Sequence, residues 1–176
     1  PPRSTLFPYT TLFRSSGKGT PDDGIHGTGV FARMFARLSV RPEFPVNLVG
    51  FGPGSTPAGD DWLAGYLMCL DLAAGGPGRA DGNLREALTV ALGENPRRTT
   101  SMGMSLLASS VSGMPPAYLV DLAVAMSEGN LPALGDAVRK ALSHGASSGR
   151  DALAGVVAAL AENGMRRRLP GNPGSP

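Results

Sequence analysis

The chain has 176 residues, with 16 basic and 14 acidic side chains, 25 glycines and a single cysteine, Cys69. This length suits one domain with a buried core, and a hydrophobic fraction of 41% with 17% charged residues excludes a disordered, highly charged tail. One cysteine excludes an intramolecular disulfide framework and a multi-cysteine metal site, and no uncharged apolar run approaches the roughly 18 residues that span a bilayer.

The first fifteen residues, PPRSTLFPYTTLFRS, resemble the translation of a short-read sequencing adapter along their whole length. We expect Pro1–Ser15 to be such an artefact, the alternative being a genuine strand rich in Thr and Phe, and we exclude it from the fold prediction. Removing Arg3 and Arg14 leaves 14 basic and 14 acidic residues, a balance that favours neither a nucleic-acid nor a membrane surface as partner. The prediction is then one truncated helical domain over 16–165, followed by a flexible tail over 166–176.

Apolar residues at helical spacing, separated by glycine and proline breaks, predict seven helices. These cover Thr28–Val40, Asp60–Ala74, Asn83–Leu92, Thr99–Ser112, Pro116–Ser127, Asn130–Ser143 and Ser148–Asn163, the last ending at Gly164. Asp60–Ala74 is apolar nearly all round, which favours a central buried position. Val46–Phe51 is short, apolar and β-branched, which predicts either a short strand or a buried extended segment. The predicted fold class is mainly α, a bundle of about six or seven helices with at most one short strand.

An internal repeat links two of these helices. Thr56–Gly65 (TPAGDDWLAG) and Ala146–Gly155 (ASSGRDALAG) share the pattern G-x-D-x-L-A-G, 90 residues apart. Each copy joins a loop of small residues to the start of an apolar helix, where free N–H groups and the positive end of the helix dipole favour an anion. The two starts could converge on one anionic or carbonyl-bearing ligand. The alternative is a pair of ordinary helix caps with close packing through glycine.

Three further groups are candidates for chemistry. Asp60 and Asp61 could hold Mg²⁺ or accept hydrogen bonds from an amide substrate, or they could complement a helix dipole. Arg97–Thr100 (RRTT) offers guanidinium and hydroxyl groups to an anion, the alternative being a solvated loop. His144 is a catalytic candidate, although a lone histidine at a helix C-terminus more often interacts with the dipole. Cys69 is expected in the core.

Gly50–Leu67 (GFGPGSTPAGDDWLAGYL) is similar to the pattern G-x-G-x-G-x-T-P-S-G-D-D-x-L-x-G of a bacterial family formerly described as a domain of unknown function. That family is associated with the AllH-type subunit of oxamate carbamoyltransferase. The Arg98–Thr100 sequence and an H-x-S-S-G-x-D-x-L-x-G element that begins at His144 follow in the expected order. The resemblance covers roughly 46–160. Ala58 stands where the family usually has Ser, and Ser55 stands where Leu is more frequent. The family's N-terminal portion is missing.

The resemblance implies a cytoplasmic subunit that works with partner subunits in anaerobic purine and allantoin degradation. The assembly would transfer a carbamoyl group between oxamate and carbamoyl phosphate, giving oxalurate and phosphate, so this chain alone need not be an enzyme. The alternatives are a non-catalytic helical scaffold and a regulatory subunit that binds a small anion. The sequence itself calls for no cofactor and leaves its identity open, with Mg²⁺ possible at Asp60 and Asp61.

The candidate site residues follow from the repeat, the smaller groups and the resemblance together. The catalytic candidates are Asp60, Asp61, His144 and Asp151. The candidates for binding small anionic substrates are Gly52, Gly54, Ser55, Thr56, Gly59, Arg97, Arg98, Thr99, Thr100, Ser147, Ser148 and Gly149.

Overall fold

The computed structural model describes residues 45–80 and 82–168, with side chains to residue 162. This part contains six α-helices: α1 (Ala58–Ala73), α2 (Gly82–Glu94), α3 (Ser101–Val111), α4 (Ala117–Glu128), α5 (Leu131–Leu142) and α6 (Ser148–Arg168). Two short 3₁₀ helices, Val46–Leu48 and Pro96–Arg98, precede α1 and α3. These ranges contain no strand, so the prediction of a mainly α bundle is confirmed. The predicted helix Thr28–Val40 lies outside the described residues.

Helix α1 lies at the centre of the bundle. Every residue from 59 to 69 is buried, and the helix packs against α6, α3 and α4. Trp62, Leu63 and Leu67 form the middle of the core and are almost completely shielded from solvent. A helix that is apolar on all sides has no face suited to water, so the sequence itself directs it inside. The prediction of a central buried helix is confirmed, and Cys69 lies in the core as expected.

Helices α1 and α6 cross closely because each carries a glycine at the crossing. A Cβ added to Gly65 would overlap the carbonyl oxygen of Ala152, and one added to Gly155 would overlap that of Trp62. The repeat offset of 90 residues makes Gly155 the counterpart of Gly65, and Ala152 that of Trp62. The contact is therefore reciprocal, as in an interface between two equivalent subunits, and the repeat forms a local pseudo-twofold arrangement.

The segment Val46–Phe51 folds differently from its prediction. The Leu48 N–H donates to the Pro45 carbonyl over 2.9 Å, and the Phe51 N–H donates to the Leu48 carbonyl over the same distance. These bonds between residues three apart satisfy the backbone locally, so the segment needs no neighbouring strand. The expected strand or extended conformation is wrong, whereas burial is confirmed for Leu48 and Val49.

Helix α6 continues beyond its predicted end at Asn163. It passes through Gly164 to Arg168, because one glycine in a helix interior costs only about 1 kcal/mol and good helix formers follow it. Although α6 has 21 residues, no helix in the described ranges is both long and apolar enough to cross a bilayer.

Candidate functional site

The two copies of the internal repeat meet at the starts of α1 and α6. Asp61 and Asp151 occupy the same position, each the fourth residue of its helix. The hydroxyl oxygens of Thr56 and Ser148 lie 3.0 Å apart and share a hydrogen bond, which links the two preceding loops directly. The structure therefore brings together the two motifs that the sequence separates by 90 residues.

The two helices run in the same general direction. Their starts meet at Thr56 and Ser148, and further along, the Tyr66 hydroxyl donates a hydrogen bond to the Glu162 carboxylate. Two positive dipole ends therefore lie side by side, and the acidic residues in the first turns complement them.

The glycines at these helix starts serve close backbone approach. A Cβ on Gly59 would overlap the carbonyl oxygen of Leu48, and one on Gly149 would overlap that of Ala141. The amide N–H groups of both glycines donate to backbone carbonyls of their own loops, over 2.8 and 3.0 Å. These two amides are thus used within the chain.

Asp60, in α1, forms hydrogen bonds with the segments that contain Gly50 and Thr99. One of its oxygens accepts a hydrogen bond from the Gly50 amide over 2.7 Å, and the other accepts one from the Thr99 hydroxyl. Burial raises the pKa of Asp60, and these two bonds oppose the rise. Because both oxygens have donors inside the chain, this side chain holds the loops before α1 and α3 in place.

Asp61 faces the other copy of the repeat. It is 2% exposed and accepts a hydrogen bond from the Thr56 hydroxyl over 3.0 Å. Burial raises its pKa to about 6, with smaller increases from the charges of Asp151 and Asp60, while the Ser148 and Thr56 hydroxyls lower it. Asp61 therefore changes its charge close to neutral pH.

Asp151, on the facing helix, is 6% exposed. Its carboxylate interacts with the Ser147 hydroxyl, but its Oδ2 atom has no hydrogen-bond partner within the described part of the chain. Burial raises the pKa of Asp151, whereas Ser147 and the charge of Arg150 lower it. Asp61 and Asp151 are thus two buried carboxyls in one site, the first satisfied by hydroxyl donors and the second with one oxygen open.

Tyr118, at the start of α4, is a site residue that the sequence reasoning missed. Its ring stacks on that of His144 with 4.2 Å between centroids. Burial raises the pKa of its phenol, and the charges of Asp61 and Asp151 raise it further. In the sequence Tyr118 follows two prolines in an apolar helix pattern, which signals core packing rather than a site.

His144 is exposed and lies between α5 and α6. Its ring stacks on the Tyr118 ring, and its backbone carbonyl accepts the hydrogen bond from the Gly149 amide over 3.0 Å. His144 therefore adjoins the start of α6 through its backbone, while its imidazole contacts Tyr118.

The Arg-Thr-Thr motif adjoins the glycine-rich loop before α1. Thr100 caps α3 by accepting the Gly103 amide over 2.9 Å, and its hydroxyl also donates to the Ser55 carbonyl. Gly52 and Gly54 lie exposed in this loop with positive φ angles of 96° and 118°, which glycine adopts at little cost. The Arg-Thr-Thr motif and the glycine loop are therefore packed together.

The two arginines lie at the edge of this arrangement. Arg98 donates to the Asn47 side chain over 3.3 Å, and Arg97 is exposed. Because Arg98 directly precedes Thr99, the chain positions both guanidinium groups on the loop that holds Asp60.

Asp60 and Asp61 are neighbours in sequence, yet they face different segments of the chain. Asp60 accepts hydrogen bonds from Gly50 and Thr99, whereas Asp61 accepts them from Thr56 and Ser148. Residues 45–80 and 82–168 contain no cluster of three or more His, Cys, Asp or Glu side chains that could hold a metal ion.

Comparison with known proteins identifies a family. The family model described as oxamate carbamoyltransferase subunit AllH matches residues 48–160, which include both copies of the repeat and the Arg-Thr-Thr motif. No curated protein and no solved structure matches the chain. Since the match covers well over half of the sequence, the chain belongs to the family of oxamate carbamoyltransferase subunit AllH.

Proposed function

We propose that the paired starts of α1 and α6 form a substrate-binding site through which this subunit takes part in carbamoyl transfer between oxamate and carbamoyl phosphate. The observation that carries the proposal is the hydrogen bond between Thr56 and Ser148. It holds the two motifs together, so that Asp61 and Asp151 lie in one site.

The energetics of the acidic pair support a functional role. Two carboxyls whose pKa values are raised by burial destabilise the folded chain at neutral pH. Groups of this kind occur most often where chemistry requires them. Hydrophobic residues of similar size would pack at this crossing without that cost.

The chemistry of the reaction suits such a pair. In the forward direction, the oxamate nitrogen forms a bond to the carbonyl carbon of carbamoyl phosphate, the bond from that carbon to the phosphate oxygen breaks, and the nitrogen loses a proton. A carboxyl with a pKa near neutrality is better matched to proton transfer than an ordinary one. Asp61, with its pKa of about 6, is the candidate proton acceptor.

The negative charge of both substrates needs a partner outside the acidic pair. Arg97 and Arg98 are the candidates, because they directly precede Thr99, whose hydroxyl donates to Asp60, the neighbour of Asp61 in α1. Guanidinium groups bind carboxylate and phosphate through paired hydrogen bonds. Cytoplasmic purine degradation is the setting in which we place this activity.

Other subunits of the assembly are implied by the family, so the test uses the reconstituted complex. Oxalurate and phosphate formation would be followed with Asp61→Asn and Asp151→Asn chains, and with Asp136→Asn as a matched control, because Asp136 is 73% exposed on α5. We expect both site variants to lose most activity while the complex still assembles on a sizing column. Full activity in both variants would contradict the site. Loss of assembly would instead favour a scaffold, and a change in regulation alone would favour a regulatory subunit.

A further inference from the structure

One atom of the site lacks a partner that it physically requires. Asp151 Oδ2 is buried and accepts no hydrogen bond from residues 45–80 or 82–168, although the side chain as a whole is only 6% exposed. Leaving a buried acceptor unsatisfied destabilises the folded chain, and more so when the acceptor is charged. Because native proteins satisfy nearly all buried polar atoms, this oxygen points to a donor from outside the described chain.

The neighbouring groups cannot supply the missing donor. The Ser147 hydroxyl interacts with the Asp151 carboxylate, which still leaves Oδ2 open, and the Arg150 guanidinium donates to the Ala146 carbonyl over 2.8 Å. Thr56 Oγ donates to Asp61 over 3.0 Å and exchanges a hydrogen bond with Ser148. None of these neighbouring groups donates to Asp151 Oδ2.

The charge around this oxygen selects the kind of ligand. Asp61 lies opposite Asp151, the phenol of Tyr118 approaches from α4, and the charge of Arg150, the preceding residue, partly offsets the negative charge. An anionic group would be repelled by the carboxyls. A metal ion would lack a cluster of three ligating side chains among the described residues. A neutral N–H donor satisfies the oxygen and meets neither obstacle.

We propose that the –NH₂ group of a primary amide donates to Asp151 Oδ2 between the starts of α1 and α6, so that this site recognises the amide end of its substrate rather than the anionic end. The inference rests on the proposed function, since oxamate and the carbamoyl group both carry such an amide. A planar NH₂ group has two N–H donors, so that it can donate one hydrogen bond to each copy of the repeat.

Calorimetric titration of the full chain with oxamate and with oxalate tests this inference. The two ligands have similar shape, but oxalate has a second carboxylate, with one more negative charge and no N–H donor, where oxamate has its neutral amide. Oxamate binding that weakens in Asp151→Ala but not in Asp136→Asn separates the N–H contact from this difference in charge. We expect oxamate to bind at least about tenfold more tightly, since a hydrogen bond to a charged group contributes about 1.5–3 kcal/mol. The preference should fall by about tenfold or more in Asp151→Asn and disappear in Asp151→Ala, while Asp136→Asn keeps it.

Equal affinity for the two ligands, a preference that survives in both Asp151 variants, or binding of neither ligand at millimolar concentration would overturn the inference. Circular dichroism verifies that the isosteric Asp151→Asn chain is folded. These outcomes are separate from the fate of the proposed function. If activity of the reconstituted complex depends on Asp61 but the chain shows no preference for the amide ligand, the proposed function stands and this mode of recognition is wrong.

Discussion

Replacing Asp61 by asparagine should make the folded chain more stable at neutral pH. In the folded chain the pKa of Asp61 rises from its ordinary 3.8 to about 6 because the side chain is buried. The folded state therefore holds a proton more tightly than the unfolded state. The stability that this proton contributes is present below pH 3.8 and is lost as the pH rises through about 6. The shift corresponds to about 3 kcal/mol of lost stability at pH 7.5.

Asparagine keeps the shape of the side chain and carries no charge at any of these pH values. Its hydrogen bonds to the Thr56 and Ser148 hydroxyls are weaker than those of a carboxylate, which offsets part of the gain. We therefore expect Asp61→Asn to be about 1–3 kcal/mol more stable than the parent chain at pH 7.5. The advantage should vanish at pH 4, where the aspartate of the parent is also neutral.

Urea unfolding followed by circular dichroism from pH 4 to 7.5 measures this difference directly. The exposed Asp136→Asn control should stay within about 0.5 kcal/mol of the parent throughout. A stability difference between Asp61→Asn and the parent that does not change with pH would refute the reasoning. The reasoning would also be refuted if, between pH 4 and pH 7.5, Asp61→Asn lost as much stability as the parent chain loses.

Three further substitutions test packing and ion pairing in the bundle. Gly155→Ala places a methyl group against the Trp62 carbonyl and should cost about 1–3 kcal/mol by urea unfolding, whereas Gly93→Ala, in open space on α2, should gain up to about 1 kcal/mol. Similar effects in both variants would argue against the close crossing. Arg85→Met should cost about 3 kcal/mol, because it leaves the buried Asp71 carboxylate without the guanidinium that lies 2.5 Å away. The backbone N–H groups of Gly78 and Ala80 also donate to Asp71, and an unchanged unfolding midpoint would show that these two donors suffice.

Much of the fold follows from local sequence patterns. Helix α1 was predicted within a few residues because apolar side chains on every face exclude an exposed position. Gly129 ends α4 in a left-handed conformation, as expected for a residue after a helix. The end of α6 could not be predicted in the same way, because the cost of Gly164 is small enough for neighbouring residues to override it.

The site was predictable in part. The spacing of Asp61 and Asp151 within equivalent motifs identified the two helix starts, and the reciprocal glycines explain how they meet. The role of Asp60 as a loop fastener depends on Thr99, which is 39 residues away, and no local pattern encodes that contact. Tyr118 reaches the acidic pair only through the packing of α4, so its place depends on tertiary structure.

The reciprocal crossing of α1 and α6 also shows what a single chain can do that two identical subunits cannot. In a true homodimer, Asp61 and Asp151 would be copies of one residue and would have the same surroundings. Here Thr56 has Ala146 as its counterpart, and Ser148 has Ala58, so the bridging hydroxyls are not duplicated. Within one chain the two copies can differ, so that hydroxyl donors hold Asp61 while one oxygen of Asp151 has no partner among the described residues. The pseudo-symmetry brings the two carboxyls together, and its local breaking gives them different surroundings.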